Sequence, residues 1–118
     1  MKSRIAELKL LEDGWLDGEG KTPDHAGLDK LEKIFTKRLE GCVQPRLYPT
    51  IEGGISAEWD VSPAGGTDAT LEVNLTNLQA SWHVLRGPIL DMDAQDNLDL
   101  NSEEAWDFLL PCIPKIPD

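Results

Sequence analysis

Apolar residues in the first forty positions recur at helical spacing, and beyond Pro45 the spacing changes to two. Ile5, Leu8 and Leu11 fall at three-residue intervals, with Lys2, Arg4, Glu7 and Lys9 off that stripe. This predicts a short helix from Ser3 to about Glu12. Gly14-Trp15-Leu16-Asp17-Gly18-Glu19-Gly20 follows, and three glycines in seven residues mark a loop of tight turns or close backbone approach. Trp15 and Leu16 read as anchors tucked under it, and Trp15 equally suits an interface. Thr22-Pro23 then opens a second helix, with Thr22 as its cap and Pro23 in its first turn. Leu28, Leu31, Ile34, Phe35 and Leu39 make its apolar face, Lys30, Lys33, Lys37 and Arg38 its solvated one, and Gly41 its stop.

From Leu47 onward, four runs alternate apolar and polar residues: Leu47–Glu52, Ile55–Val61, Ala69–Thr76 and Ala80–Leu85. Glu52-Gly53-Gly54 supplies a hairpin turn between the first two runs, and Thr76-Asn77-Leu78-Gln79 one between the last two. Such runs with short connections predict a four-stranded antiparallel meander with one buried and one polar face. Asp91 to Leu100 reads as a loop, with a short strand at Leu98-Asp99-Leu100 as the alternative. Asn101, with Glu104 three residues on, predicts the cap of a last helix whose buried face is Ala105, Trp106, Leu109 and Leu110. Pro111 stops it, and a proline-punctuated tail follows. The expected fold is therefore a single α+β domain ordered ααββββα: a helical part over 1–45, a sheet over 46–90, and an acidic loop, helix and tail over 91–118.

Length and charge narrow the function. At 118 residues the chain fits one domain with a core of its own. Its formal net charge of −11 argues against direct grip on nucleic acid or on an anionic membrane. No apolar run approaches a membrane span, and the charged N-terminal stretch does not read as a signal peptide. The charge is uneven. Residues 1–45 hold eight basic groups against nine acidic ones, and residues 46–118 three against thirteen. From 87 to 114 there is no Lys or Arg, yet Asp91, Asp93, Asp96, Asp99, Glu103, Glu104 and Asp107 all fall there. Seven uncompensated carboxylates repel one another. A solvated loop and helix start would explain them, and so would a docking surface for a cationic protein partner.

Candidate chemistry is sparse. Cys42 and Cys112 form no CxxC pattern and read as free thiols in a reducing cytoplasm. Asp91-Met92-Asp93-Ala94-Gln95-Asp96-Asn97 starts like a calcium loop, but Asp96 and Ser102 occupy the positions that need Gly and Glu. Hence no metal or cofactor is expected. His83 falls on the polar sheet face with Ser56, Glu58, Glu72, Asn74 and Ser81, but no nucleophile elbow accompanies it. Gly53-Gly54 and Gly65-Gly66-Thr67 lack phosphate-loop spacing. Trp59, Trp82 and Trp106 fall on apolar faces as core anchors.

Asp13-Gly14-Trp15-Leu16-Asp17-Gly18-Glu19-Gly20, Leu47-Tyr48-Pro49-Thr50-Ile51-Glu52-Gly53-Gly54-Ile55, Ala57-Glu58-Trp59 and Leu71-Glu72-Val73 resemble a family of small uncharacterised bacterial proteins. That family carries a DGW.DGEG loop and a YPTPEGG hairpin followed by EW, with Ile51 here in place of the hairpin proline. The resemblance implies a bacterial or phage source, a cytoplasmic setting and an α+β order, and it brings no catalytic residues. These observations together lead to a non-enzymatic acidic interaction protein, monomer or homodimer. It would bind and inhibit a cationic partner such as a toxin or a nucleic-acid-binding complex, in the manner of an antitoxin or immunity protein. Two alternatives stand beside it: a nucleic-acid mimic acting on a bacterial defence complex, and a small-molecule binder or enzyme using the polar sheet face around Glu58, Glu72 and His83.

Overall fold

Ile5 and Leu8 carry one side of the first helix, α1 (Lys2–Lys9), into the core, where both are fully buried. In the computed structural model, which describes residues 2–60, 67–86, 95–113 and 115, this helix ends three residues before Glu12. The N–H groups of Leu10 and Leu11 bond back three residues, to the carbonyls of Glu7 and Leu8, and such tightening closes a helix end. The second helix, α2 (His25–Arg38), is capped by Asp24 rather than Thr22: the Asp24 carboxylate accepts from the Gly27 N–H at 2.9 Å. Pro23 is buried just outside. Leu28, Leu31 and Phe35 are buried along α2, and Lys9 pairs with Asp29 to tie the two helices together. Gly27 is where α2 meets the turn at Leu75. A methyl there would collide with the Leu75 carbonyl oxygen and lie 2.7 Å from the Leu75 Cβ.

The sheet has five strands, not the four expected. They are β1 (Arg46–Pro49), β2 (Ile55–Asp60), β3 (Thr67–Val73), β4 (Gln79–Arg86) and β5 (Gln95–Asp99). Their spatial order is their sequence order, and every pair is antiparallel. The order is therefore ααβββββα, and the fifth strand lies where a loop was expected. Gln95-Asp96-Asn97-Leu98-Asp99 has no alternation to announce it. Only Leu98 is buried, opposite Ala80, while Gln95, Asp96 and Asn97 are exposed. A register shift between Ala80 and Trp82, with Asn97 at φ 60°, breaks the period further. The last helix, α3 (Glu103–Leu109), is capped by Ser102 rather than Asn101, and continues into a 3-10 turn at Leu110–Cys112.

One face of the sheet packs against all three helices in a single core. Leu47, Ala57, Leu71 and Trp82 form one cross-strand row of it, and Ile55, Val73, Ala80 and Leu98 the next. Phe35 of α2 meets Trp106 of α3 edge to face, with ring centroids 6.1 Å apart. The Trp59 and Trp106 indoles donate to the carbonyls of Val43 (2.8 Å) and Leu100 (2.9 Å). Burial thus costs neither of them its hydrogen bond. After the turn at 110–112 the chain returns to the helical side, where Lys115 bridges to Cys42. No helix among the described residues is long and apolar enough to cross a membrane.

Gly65-Gly66 and the start of the calcium-like run, Asp91 to Ala94, lie outside the described residues.

Candidate functional site

Of the seven carboxylates in the base-free stretch, Asp91 and Asp93 lie outside the described residues. The other five fall on two adjoining elements. Asp96 is exposed on β5, and Asp99 ends that strand half-buried. The Asp99 carboxylate accepts from the Asn101 N–H at 2.9 Å, and its carbonyl accepts from the Ser102 N–H and hydroxyl at 2.9 and 2.8 Å. Asp99 therefore builds the turn that aims the last helix. Glu103 and Glu104 are exposed in the first turn of α3, where negative charge meets the positive end of the helix dipole. Asp107, one turn on, is exposed as well. It has no such compensation and stands four residues from Glu103, close enough to repel it.

Between β5 and α3 runs a groove of about 540 Å³. Leu98, Ala105 and Phe108 give it apolar wall, Asp99 and Glu104 give it negative charge, and no Lys or Arg lines it. Asp96, Glu103 and Asp107 stand on the same strand and helix without lining it. The charge of this surface was visible in the sequence. The groove was not, because its apolar wall is assembled from a strand without alternation and from the flank of a short helix. The partly buried Phe108 was the one available signal. It follows Trp106 by two positions, off the helical stripe of Ala105, Trp106 and Leu109.

The polar sheet face is arranged in rows. Arg46, Glu58, Thr70 and His83 occupy one cross-strand row, and Tyr48, Ser56, Glu72 and Ser81 the next. A cavity of about 300 Å³ opens at the hairpin end of this face. Glu52, Glu72, Asn74, Gln79 and Ser81 contribute to its lining, whereas Glu58 and His83 do not. Part of its polarity is already used locally. The Thr50 hydroxyl accepts from the Gly54 N–H, and the Asn74 side-chain oxygen accepts from the Thr76 N–H and hydroxyl. The sequence grouping of Glu58, Glu72 and His83 is thus divided between a cavity and the ladder beyond it.

The glycine loop and the first hairpin hold each other. The Trp15 indole lies on Gly20, where φ is +95° and a Cβ would sit 2.7 Å from the ring, so a side chain there is barred twice over. Trp15 Nε1 donates to the Lys21 carbonyl at 2.9 Å, and the Lys21 N–H donates to the Ile51 carbonyl at 2.8 Å. The Asp13 carboxylate accepts from the Thr22 N–H at 2.9 Å, and hydrogen bonding to Thr22 holds its pKa below the usual aspartate value. The hairpin loop itself runs over Thr50–Gly54, longer than a two-residue Gly-Gly turn, and is closed by the Thr50 N–H donating to the Gly54 carbonyl at 3.0 Å. Glu58 lies four positions into the strand beyond this contact, opposite Arg46. The two glycine motifs therefore brace one corner of the fold around Trp15.

Among the described residues, no group of three or more His, Cys, Asp or Glu side chains converges as a metal site. Compared with protein-family models, with curated proteins and with solved structures, the chain matches none of them.

Proposed function

We propose that this protein is a non-catalytic binding protein that docks a cationic protein partner on the surface formed by β5 and α3, and that it inhibits the partner by covering its basic face. The observation that carries this reading is the groove with an acidic lining and an apolar wall, set in a stretch, 87–114, that holds seven carboxylates and no Lys or Arg. Apolar wall supplies contact area, while uncompensated carboxylate supplies steering and selects the sign of the partner's charge. The unbridged Cys42 and Cys112 suit a reducing compartment such as the cytoplasm.

The test is a triple charge reversal at exposed positions outside the groove lining, Asp96→Lys, Glu103→Lys and Asp107→Lys, with the fold checked by circular dichroism. Partners are captured from the native cell by the unaltered protein and identified by mass spectrometry. With the triple variant, the association rate should fall by about tenfold or more at low salt, and the difference should shrink as salt rises. An unchanged association rate would remove the proposal. If the partner's basic face normally takes nucleic acid, that nucleic acid should compete with this protein, which is the mimic form of the same reading. The cavity lined by Glu72 and Ser81 favours a second reading, a small polar ligand on the open sheet face. Amide shift changes centred on the Thr50–Gly54 loop, Glu72–Asn74 and Gln79–Ser81 in a fragment screen would support it.

A further inference from the structure

We propose that the partner binds by adding an extended, basic strand to the outer edge of β5, seated in the groove against α3. The inference rests on the cationic-partner reading above and specifies how the partner is held.

The two edges of the sheet are treated differently. At β1 the edge is blocked: Arg4 Nε donates to the outward Leu47 carbonyl at 2.9 Å, and Pro49 has no N–H to offer. At β5 the inner edge pairs with β4, Ser102 donates to the Asp99 carbonyl at the strand's end, and among the described residues no strand pairs with the outer edge. An open edge offers backbone donors and acceptors at strand spacing, which is the template used in strand-addition recognition. The groove lies beside this edge, between strand and helix, as an added strand would require. A partner strand matching β5 in length would span about 17 Å. Leu98, Ala105 and Phe108 would receive its apolar side chains, and Asp99 and Glu104 its ammonium or guanidinium groups.

Charge decides the occupant. A second copy of the chain pairing β5 to β5 would bring Asp96 and Asp99 of both copies onto one ladder, and like charges across a ladder destabilise it. A basic strand meets the opposite sign at the same positions. The carboxylates thus keep the edge from self-association while leaving it open to one class of partner.

The probe is an acetylated, amidated peptide, Lys-Val-Lys-Val-Lys-Val-Lys, bound to the full chain and followed by anisotropy and by amide shift mapping. Two further peptides carry backbone N-methyl groups, one on every valine and one on the internal lysines, so that each loses the donors of one edge. The expected result is binding that shifts the amides of Gln95–Asp99 and weakens by about tenfold or more for one methylated peptide while the other stays near the parent. Glu104→Lys should weaken the parent peptide by a similar factor with the fold intact by circular dichroism. Equal affinity of all three peptides would overturn strand addition and leave charge capture standing. Absence of peptide binding, with partner capture still dependent on Asp96, Glu103 and Asp107, would overturn it in the same way. Dimerisation with protection of the β5 amides would give the edge to a second copy and overturn the basic occupant.

Discussion

Three tryptophans share the core and differ in what their indole nitrogens meet. Trp59 and Trp106 donate to backbone carbonyls, whereas the fully buried Trp82 Nε1 has no partner. Burying a ring of this size contributes about 5 kcal/mol at the usual transfer coefficient, against about 1–3 kcal/mol for leaving a donor unpaired. Packing therefore wins at Trp82, which lies in the ladder between Leu71 and Gln95 with its ring 5.8 Å from that of Trp59. A replacement by phenylalanine should separate the two kinds of site. Trp106→Phe and Trp59→Phe each orphan a carbonyl as well as losing volume. They should destabilise by about 1–2 kcal/mol more than Trp82→Phe, which removes an unpaired donor. Urea unfolding midpoints with a common slope measure the difference. Equal losses at all three positions would mean that the hydrogen bonds contribute nothing net.

Between elements, the glycine loop and the first hairpin act as one clamp, and Asp13 is its titratable member. Its pKa is lowered by hydrogen bonding to Thr22, and that of Asp29 by the Lys9 ammonium. A carboxyl with a depressed folded pKa adds stability that is fully present above its unfolded value, about 3.9, and is lost as pH falls through the folded value. Acid should therefore loosen this corner. Asp13→Asn should lower stability at neutral pH and flatten the acid limb of a denaturation series run from pH 6 to pH 2. An acid limb of unaltered slope would show that Asp13 is unlinked to folding.

Elements with one clear period were legible in the sequence: α1, α2, α3 and the first four strands all came from stripes or alternation. β5 was legible only at its end, as the alternative short strand at Leu98-Asp99-Leu100, because a single buried Leu98 among Gln95, Asp96, Asn97 and Asp99 carries no period, and its bulge would break one. The helix caps shifted by one or two residues for a related reason. Thr22 and Asp24 can both cap, as can Asn101 and Ser102, and the packing of Pro23 and the Asp99 turn chose between them. Half of the candidate site was readable in the same sense. The carboxylates could be counted, while the groove exists only once strand and helix stand side by side.

Across the whole molecule the net charge of −11 sets a self-repulsion that salt relieves. The Debye length falls from about 10 Å at 0.1 M to about 3 Å at 1 M. The melting temperature should therefore rise by about a few degrees between 0.05 and 0.5 M sodium chloride, and rise less in the Asp96→Lys, Glu103→Lys, Asp107→Lys variant. Calorimetric scans at both salt concentrations decide it, and a fall with salt would mean that attractive pairs outweigh repulsion. The ion pairs Arg4–Glu7 and Lys9–Asp29 are both partly exposed, so they weigh little against the excess of carboxylate.

The sequential order of the strands governs how the sheet comes together. Each strand joins the one made just before it, so no pairing waits for a distant part of the chain and each closure costs the entropy of a short loop. Assembly can proceed as a zipper from any one hairpin. In the order of synthesis β5 is the last strand to join, so the acidic rim is completed only on a sheet that already exists. A nascent chain shows a near-neutral helical half before it shows any edge that a basic strand could take.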